Sequence, residues 1–519
     1  MLIHRPGYTM RGIVIIITLF SASCLSIYAA DSISVRHRIQ ANQSSAEKDF
    51  FSLVYVNPAM KFRQHAYTLN ELRAGGEYRH EQQPFVIQEG DGRQMGVVDV
   101  NSFIRKEQSS LWGEARYMNG KKMGRNWNET SDYALLYPYV MGDTIGGDLK
   151  SEQYYFAGGY ARQTGRFTFG AEASYCANIE YRNADPRPKN LTGDLNVTIG
   201  GAMKLGTAYT AGISLHARKY KQTNELAFYN ELGVPNIYHL TGLGTDYYRF
   251  RGSRGNTFYK GKAFGGSVNL LPFETGVTGF TASASYDYFT FGKIISSLNE
   301  LPMADVGEHT VKAEIGWRSL SVIDQWGVKG EVSFVNRTGT ENLFGDATNN
   351  TYPLIASEKM YYNDVTQVGV SGFYEHIGAG DMRYSILPAV KYRGIRTRYV
   401  YPERHMDINH LIGEILLRAS RPCGKFLLQG EVGALYTASV SPSLQLSGSG
   451  IKESEKLYEP VYSNYRYLSE DNALLRMAVR CDYSPRAGYS LFIAVHYEHG
   501  WQSGKRASDY VAASVGVAF

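Results

Sequence analysis

The sequence predicts an all-β fold: a transmembrane, antiparallel up-and-down β-barrel of about 18 strands, with 16 as the nearest alternative count. Three observations predict it. Alternating apolar and polar residues recur from residue 67 to the end of the chain. The connections between these segments are alternately short and long, as in a barrel with tight periplasmic turns and long external loops. An apolar run near the N-terminus matches an export signal.

Composition agrees. Forty tyrosines and 54 glycines against 16 prolines, with 43% hydrophobic residues, describe strands and turns. The 54 basic and 49 acidic residues leave a net charge of +5, too small a bias to point to nucleic acid as a partner.

Residues 1–30 read as a signal peptide: His4, Arg5 and Arg11 precede an apolar run from Ile13 to Phe20, and Ala29 and Ala30 follow. A lipidated Cys24 is the other reading of this segment. Residues 31–65 do not alternate and are long enough to lie inside or beneath a lumen as a plug or hatch. Residues 66–519 form the barrel. No later stretch approaches the roughly 18 apolar residues of a membrane helix.

Individual strands separate two faces. In "FTASASYDY", Phe280, Ala282, Ala284, Tyr286 and Tyr288 oppose Thr281, Ser283, Ser285 and Asp287. In "VKGEVSF", Val328, Val332 and Phe334 oppose Lys329, Glu331 and Ser333. The same parity turns Arg383, Lys391, Arg393, Glu431, Arg476 and Arg480 inward. A sheet that crosses a bilayer must close, because backbone groups facing hydrocarbon have no water partners. A barrel of this size has room for water or a plug. The inward charges make candidate solute contacts, and a basic stripe favours anions or sugar acids if the lumen conducts. A salt-bridge ladder that stiffens the wall is the other reading.

At the last strand the residues resemble a known pattern. "DYVAASVGVAF", with Val515, Val517 and Phe519, is similar to the C-terminal signal that the assembly machinery of gram-negative outer-membrane barrels reads. The resemblance implies that machinery and outer-membrane lipid as partners, and the outer membrane as location. "VYVNPAM", with Asn57, Pro58 and Ala59, resembles the hatch element of the outer-membrane fatty-acid-transporter family, which implies 14 strands and a hatch. "LYPYVMGDTIGGDLKSEQYYFAGGYA", residues 136–161, resembles a family of functionally uncharacterised outer-membrane barrels and brings no activity with it.

Catalytic and metal motifs are missing: there is no His-Glu-x-x-His pair, Gly-x-Ser-x-Gly elbow or phosphate-cradling glycine loop. The chain is therefore expected to be neither an enzyme nor a cofactor or metal protein. Three local clusters invite testing. His405, Asp407, Asn409 and His410 gather where a long loop re-enters a strand. Asp143 and Asp148 flank a glycine pair and could bind calcium, but without calcium-loop spacing they read first as a loop turn stiffened against the barrel rim. Tyr238, Tyr247, Tyr248, Tyr399 and Tyr401 are possible stacking platforms for a glycan. Cys423 and Cys481, placed at the turn ends of neighbouring strands, raise the question of a disulfide. The leading expectation is a channel or gated uptake protein for a small or medium solute. A surface-binding barrel with a blocked lumen comes second, and a barrel-embedded hydrolase third.

Overall fold

The computed structural model describes residues 33–43, 45–230, 236–252, 255–272, 278–349, 351–446, 451–452, 455–504 and 506–519. The signal peptide and Cys24 lie outside these residues. The wall is one closed antiparallel sheet of eighteen strands. In chain order these are β1 (Leu69–Glu81), β2 (Gly92–Arg105), β3 (Ser109–Arg125), β4 (Gly147–Thr164), β5 (Phe167–Tyr181) and β6 (Arg187–Leu205). Next come β7 (Tyr209–Ala227), β8 (Thr257–Pro272), β9 (Gly279–Ile295), β10 (Leu301–Leu320), β11 (Asp324–Phe344) and β12 (Leu354–Ile377). The last six are β13 (Arg383–Tyr399), β14 (Arg404–Cys423), β15 (Phe426–Ser439), β16 (Asn472–Arg486), β17 (Tyr489–Gln502) and β18 (Ala507–Ala518). A three-residue ladder, Ser443–Gln445, hangs on β14 outside this count.

Closure runs through the register β1 to β18, with Leu72 opposite Val517 and Tyr78 opposite Val511. Reciprocal amide bonds of 2.9 Å between Asn70 and Phe519 finish the seam. Among the described residues, the eighteen-strand wall has no open edge to recruit another chain. Eighteen strands exclude the counts of 16 and 14.

Parity divides the wall as alternation requires. Leu72, Val98, Ile213, Leu215, Phe264, Val370, Val479 and Val515 are exposed on the outside. Glu71, Arg73, Lys329, Glu431 and Arg480, of the opposite parity, face in and form ion pairs. The strands run longer than the 10 to 15 residues that alternation alone marks out; β12 has 24. They continue beyond the apolar band into segments expected to be loop, because paired polar residues keep the ladder satisfied in water.

Chain enters the lumen from both ends. At the tight-turn end lie three short helices, α1 (Val35–Gln43), α2 (Ala46–Phe50) and α3 (Pro58–Lys61). At the long-loop end, two loops fold inward and pair through Met141–Gly142, Tyr238–Gly242 and Thr245–Asp246. Trp127, Tyr139, Val140 and Leu240 of these loops pack with Tyr259, Phe289 and Phe291 of the inner wall.

Candidate solute path

The N-terminal segment is held to the wall by small apolar clusters, Val35 and Ile39 with Leu427, Phe50 and Phe51 with Phe373, and Val54 and Met60 with Leu271, and by polar contacts spread round the barrel. Gln40 donates to Ser420 at 3.0 Å and to the Asp381 carbonyl at 2.7 Å. Gln43 donates to Glu71 at 2.6 Å, and the Ala46 amide donates to Glu375 at 2.9 Å. Glu47 pairs with the buried Arg318, and Lys329 donates to the Phe50 carbonyl at 2.5 Å. Lys61 pairs with Glu172.

Asn57, Pro58 and Ala59 form a buried contact with the wall. Asn57 caps α3, accepting the Ala59 amide at 3.0 Å, and its side chain donates to Asn269 at 3.3 Å. The wall is bare of side chains where this turn lands. A Cβ on Gly170 would lie 2.5 Å from the Pro58 carbonyl carbon, one on Gly212 would lie 2.8 Å from Asn57 Nδ2, and one on Gly200 would overlap Asn57 Oδ1. Glycine is needed at these positions for close approach rather than for an unusual backbone angle.

Three cavities follow the β1–β2 side of the lumen. The upper one, about 360 Å³, is lined by Arg79, Glu89, Arg93, Lys122, Tyr133 and Tyr467. The central one, about 400 Å³, is lined by Arg73, Glu77, Arg383, Glu431, Arg480 and Tyr510 among others. The lower one, about 470 Å³, is lined by Lys61, His65, Glu71, Trp112, Glu114 and Glu172. Gln43 and Arg73 line both the central and lower cavities. The lower cavity therefore runs between the N-terminal segment and the wall.

Inside this path the charges are matched. Arg73 lies 2.7 Å from Asp99, Arg418 lies 2.7 Å from Glu431, and Arg480 lies 2.8 Å from both Glu71 and Asp482. Above the central cavity, Arg93 stands 2.9 Å from Glu77, which also accepts the Tyr510 hydroxyl at 2.9 Å.

The inward residues expected from the sequence are brought together only in part. Arg383, Arg480 and Glu431 line the central cavity. Lys391 and Lys329 lie 3.0 and 3.7 Å from Glu331 on another sector of the wall. Arg476 pairs with Glu414 at 3.2 Å, and Asp287 pairs with His216. Arg393 is exposed. In place of a continuous basic stripe, the wall carries alternating pairs. The expectation passed over Arg73, Glu77, Arg93, Asp99 and Tyr510, although β1 shows the signal in its alternation of Glu71, Arg73, Glu77 and Arg79 with Leu72, Ala74 and Tyr78.

The structure separates the other local clusters. His405, Asp407 and Asn409 share a parity with the exposed Leu411 and face out, while His410 is buried and donates to the Leu468 carbonyl at 2.7 Å. One strand cannot present both sets to one site. Tyr238 and Tyr399 are buried and Tyr247 donates to the Met303 carbonyl at 2.7 Å, so only Tyr248 and Tyr401 stand exposed. Asp143 stiffens its turn, accepting the Ile145 and Gly146 amides at 2.6 and 2.8 Å and pairing with Arg182 at 3.3 Å. Cys423 and Cys481 are free, because β15 runs between their strands. Two strand spacings come to about 10 Å, beyond disulfide reach.

A family profile described as a family of unknown function (DUF6850) matches residues 58–519. A comparison with curated proteins found no match. Among solved structures, similarity extends to a mutant of the ferric enterobactin receptor PfeA from Pseudomonas aeruginosa, with TM-score 0.35, 9% identity, and 88% of this chain and 81% of that one covered. The ferric preacinetobactin receptor BauA from Acinetobacter baumannii gives TM-score 0.39 and 7% identity over 87% of this chain and 80% of that one. The siderophore receptor PiuA from the same organism gives 0.38 and 8% over 86% and 82%. At these scores no activity or substrate is read across.

Proposed function

This chain belongs to the family of unknown function DUF6850, and on that premise we propose that it is a gated uptake barrel of the outer membrane, with residues 31–65 as the hatch. The observation that carries the reading is the seating of the N-terminal segment. Polar contacts to many strands and three small apolar clusters hold it to the wall, and a row of cavities runs beside it. The polar contacts exchange readily with water as the segment shifts.

On this reading the exposed apolar band faces lipid, the assembly machinery recognises the strand ending in Val515, Val517 and Phe519, and the solute meets Arg73, Arg383, Glu431 and Arg480. A small polar or anionic molecule, sugars included, suits a path lined by exchangeable ion pairs. No catalytic step belongs to it. Liposome swelling with neutral and acidic sugars tests the proposal, comparing the mature chain with one lacking residues 31–65. Faster swelling after deletion supports it; no swelling with either protein contradicts it.

A second reading, a surface-binding barrel with a blocked lumen, draws on the inward packing of the long loops. Tyr259 donates to the Tyr139 carbonyl at 3.0 Å and Arg404 to the Leu243 carbonyl at 2.7 Å. Under that reading the deletion leaves the lumen closed from the loop side.

A further inference from the structure

Four lysines on the outer wall have no place in the solute path. In the β7–β8 register Lys219 is directly opposite Lys262, and Lys221 is directly opposite Lys260. All four are exposed and share the outward parity of Ile213, Leu215, Phe264 and Val268. Like charges placed opposite each other on neighbouring strands repel, so the arrangement costs stability unless an anion joins it. Among the described residues none of the four has an ion-pair partner; Lys260 sits 4.6 Å from the Phe258 ring.

Their height is fixed by the strand. From Tyr209 at the tight-turn end of β7, the outward residues Ala211, Ile213, Leu215 and Ala217 lead to Lys219. Ten residues rise about 33 Å along a strand, and a usual tilt of about 40° reduces this to about 25 Å, the height of the apolar band. Lys219 and Lys262 therefore stand at the upper rim of that band, with Lys221 and Lys260 one step above. A groove of about 840 Å³ joins the two zones, lined below by Val197, Ala217 and Phe264, at the upper rim by Leu195, Lys219 and Lys262, and one step above by Lys260. Asp305 is on its margin.

We propose that this groove binds an outer-leaflet lipid with a phosphorylated headgroup, its phosphates held by Lys219, Lys260 and Lys262 of the groove with Lys221 beside them, and an acyl chain lying over Val197, Ala217 and Phe264. The assignment rests on the membrane reading above. An apolar floor continuous with a lysine roof matches a lipid, whereas a free phosphate has no use for the floor.

Native mass spectrometry of the folded mature chain tests it, with bisphosphorylated lipid A, its dephosphorylated form and inorganic phosphate as probes. Unheated and heated gel mobility first establishes a folded barrel that inserts into liposomes, and failure there removes the membrane reading itself. The unmodified protein is expected to retain the bisphosphorylated lipid about tenfold better than the dephosphorylated one. The K219Q/K221Q/K260Q/K262Q protein is expected to lose that preference. Equal retention of the two lipids by an inserted, unmodified barrel overturns the proposal without touching the membrane reading, and needs no variant to fold. Displacement of the lipid by equimolar inorganic phosphate overturns it also, in favour of a free anion.

Discussion

Glu77 Oε1 lies 2.9 Å from Arg93 Nε, and the pair divides the upper chamber, which Arg93 lines, from the central one, which Glu77 lines. The Tyr510 hydroxyl, 2.9 Å from the other oxygen of Glu77, fixes the carboxylate from the far side of the β1–β18 seam. Replacing Glu77 by Gln removes the charge that holds Arg93 against the β1–β2 wall between the two chambers. Solute flux through the hatch-deleted barrel is expected to rise severalfold, and Tyr510→Phe, which removes one hydrogen bond, to have the smaller effect. Liposome swelling rates check both, and unchanged rates would take this pair out of the path.

The seat of Asn57 makes a second prediction. A methyl group at Gly200 overlaps Asn57 Oδ1. Gly200→Ala is therefore expected to lift the Asn57-Pro58-Ala59 turn while leaving the barrel folded. Asn57→Ala loses the cap of α3 and is expected to cost about 1 kcal/mol of local stability. Limited proteolysis of the N-terminal segment in the folded barrel measures both. Cleavage as slow as in the unmodified protein would refute the seating.

How much of this was legible in the sequence differs by element. Alternation placed β1 within two residues of its observed start and paired it with the last strand, because parity on a two-faced wall is a local property. The charged residues of the path were only partly legible. Arg383 and Arg480 could be turned inward one strand at a time, but which inward residues share a chamber depends on strand tilt and register around the whole barrel. Cys423 and Cys481 show the same gap: each was placed at the correct end, and the intervening strand β15 was miscounted. The inward packing of Tyr238 and Tyr139 leaves no local sign, since a buried loop tyrosine and an exposed one look alike in sequence.

The long-loop end carries a pH prediction. Asp143 is buried, which pushes its carboxyl up, but the hydrogen bond with Glu129, the Gly146 amide, Arg182 and the Ile145 amide together hold it below the usual carboxylate range. Burial first, and Asp143 second, push Glu129 well above its ordinary value. The two signs differ. The stability from Asp143 is present above its unfolded value of about 4 and is lost as pH falls through its lower folded value. That from Glu129 is lost as pH rises through its raised value. Hydrogen-exchange protection of the Ile145 and Gly146 amides is expected to pass through a plateau and fall on both sides, and Glu129→Gln to remove only the alkaline fall. Arg182→Ala strips a buried cation from both acids and is expected to cost about 3–5 kcal/mol of loop stability.

Phe519 and Asn70 exchange both amide bonds at the seam. Deleting Phe519 removes a ladder step and the terminal aromatic together, so the yield of heat-modifiable barrel is expected to fall before any change in flux per folded molecule. Normal yield with reduced flux would reverse that order.

The central claim is that residues 31–65 close an otherwise passable lumen, and conductance across a planar bilayer tests it most directly. The mature chain is expected to show negligible steady current, and the chain lacking residues 31–65 to open stable, ion-conducting steps. Negligible current from both, with insertion established independently, would contradict the account and leave a barrel sealed by its own loops.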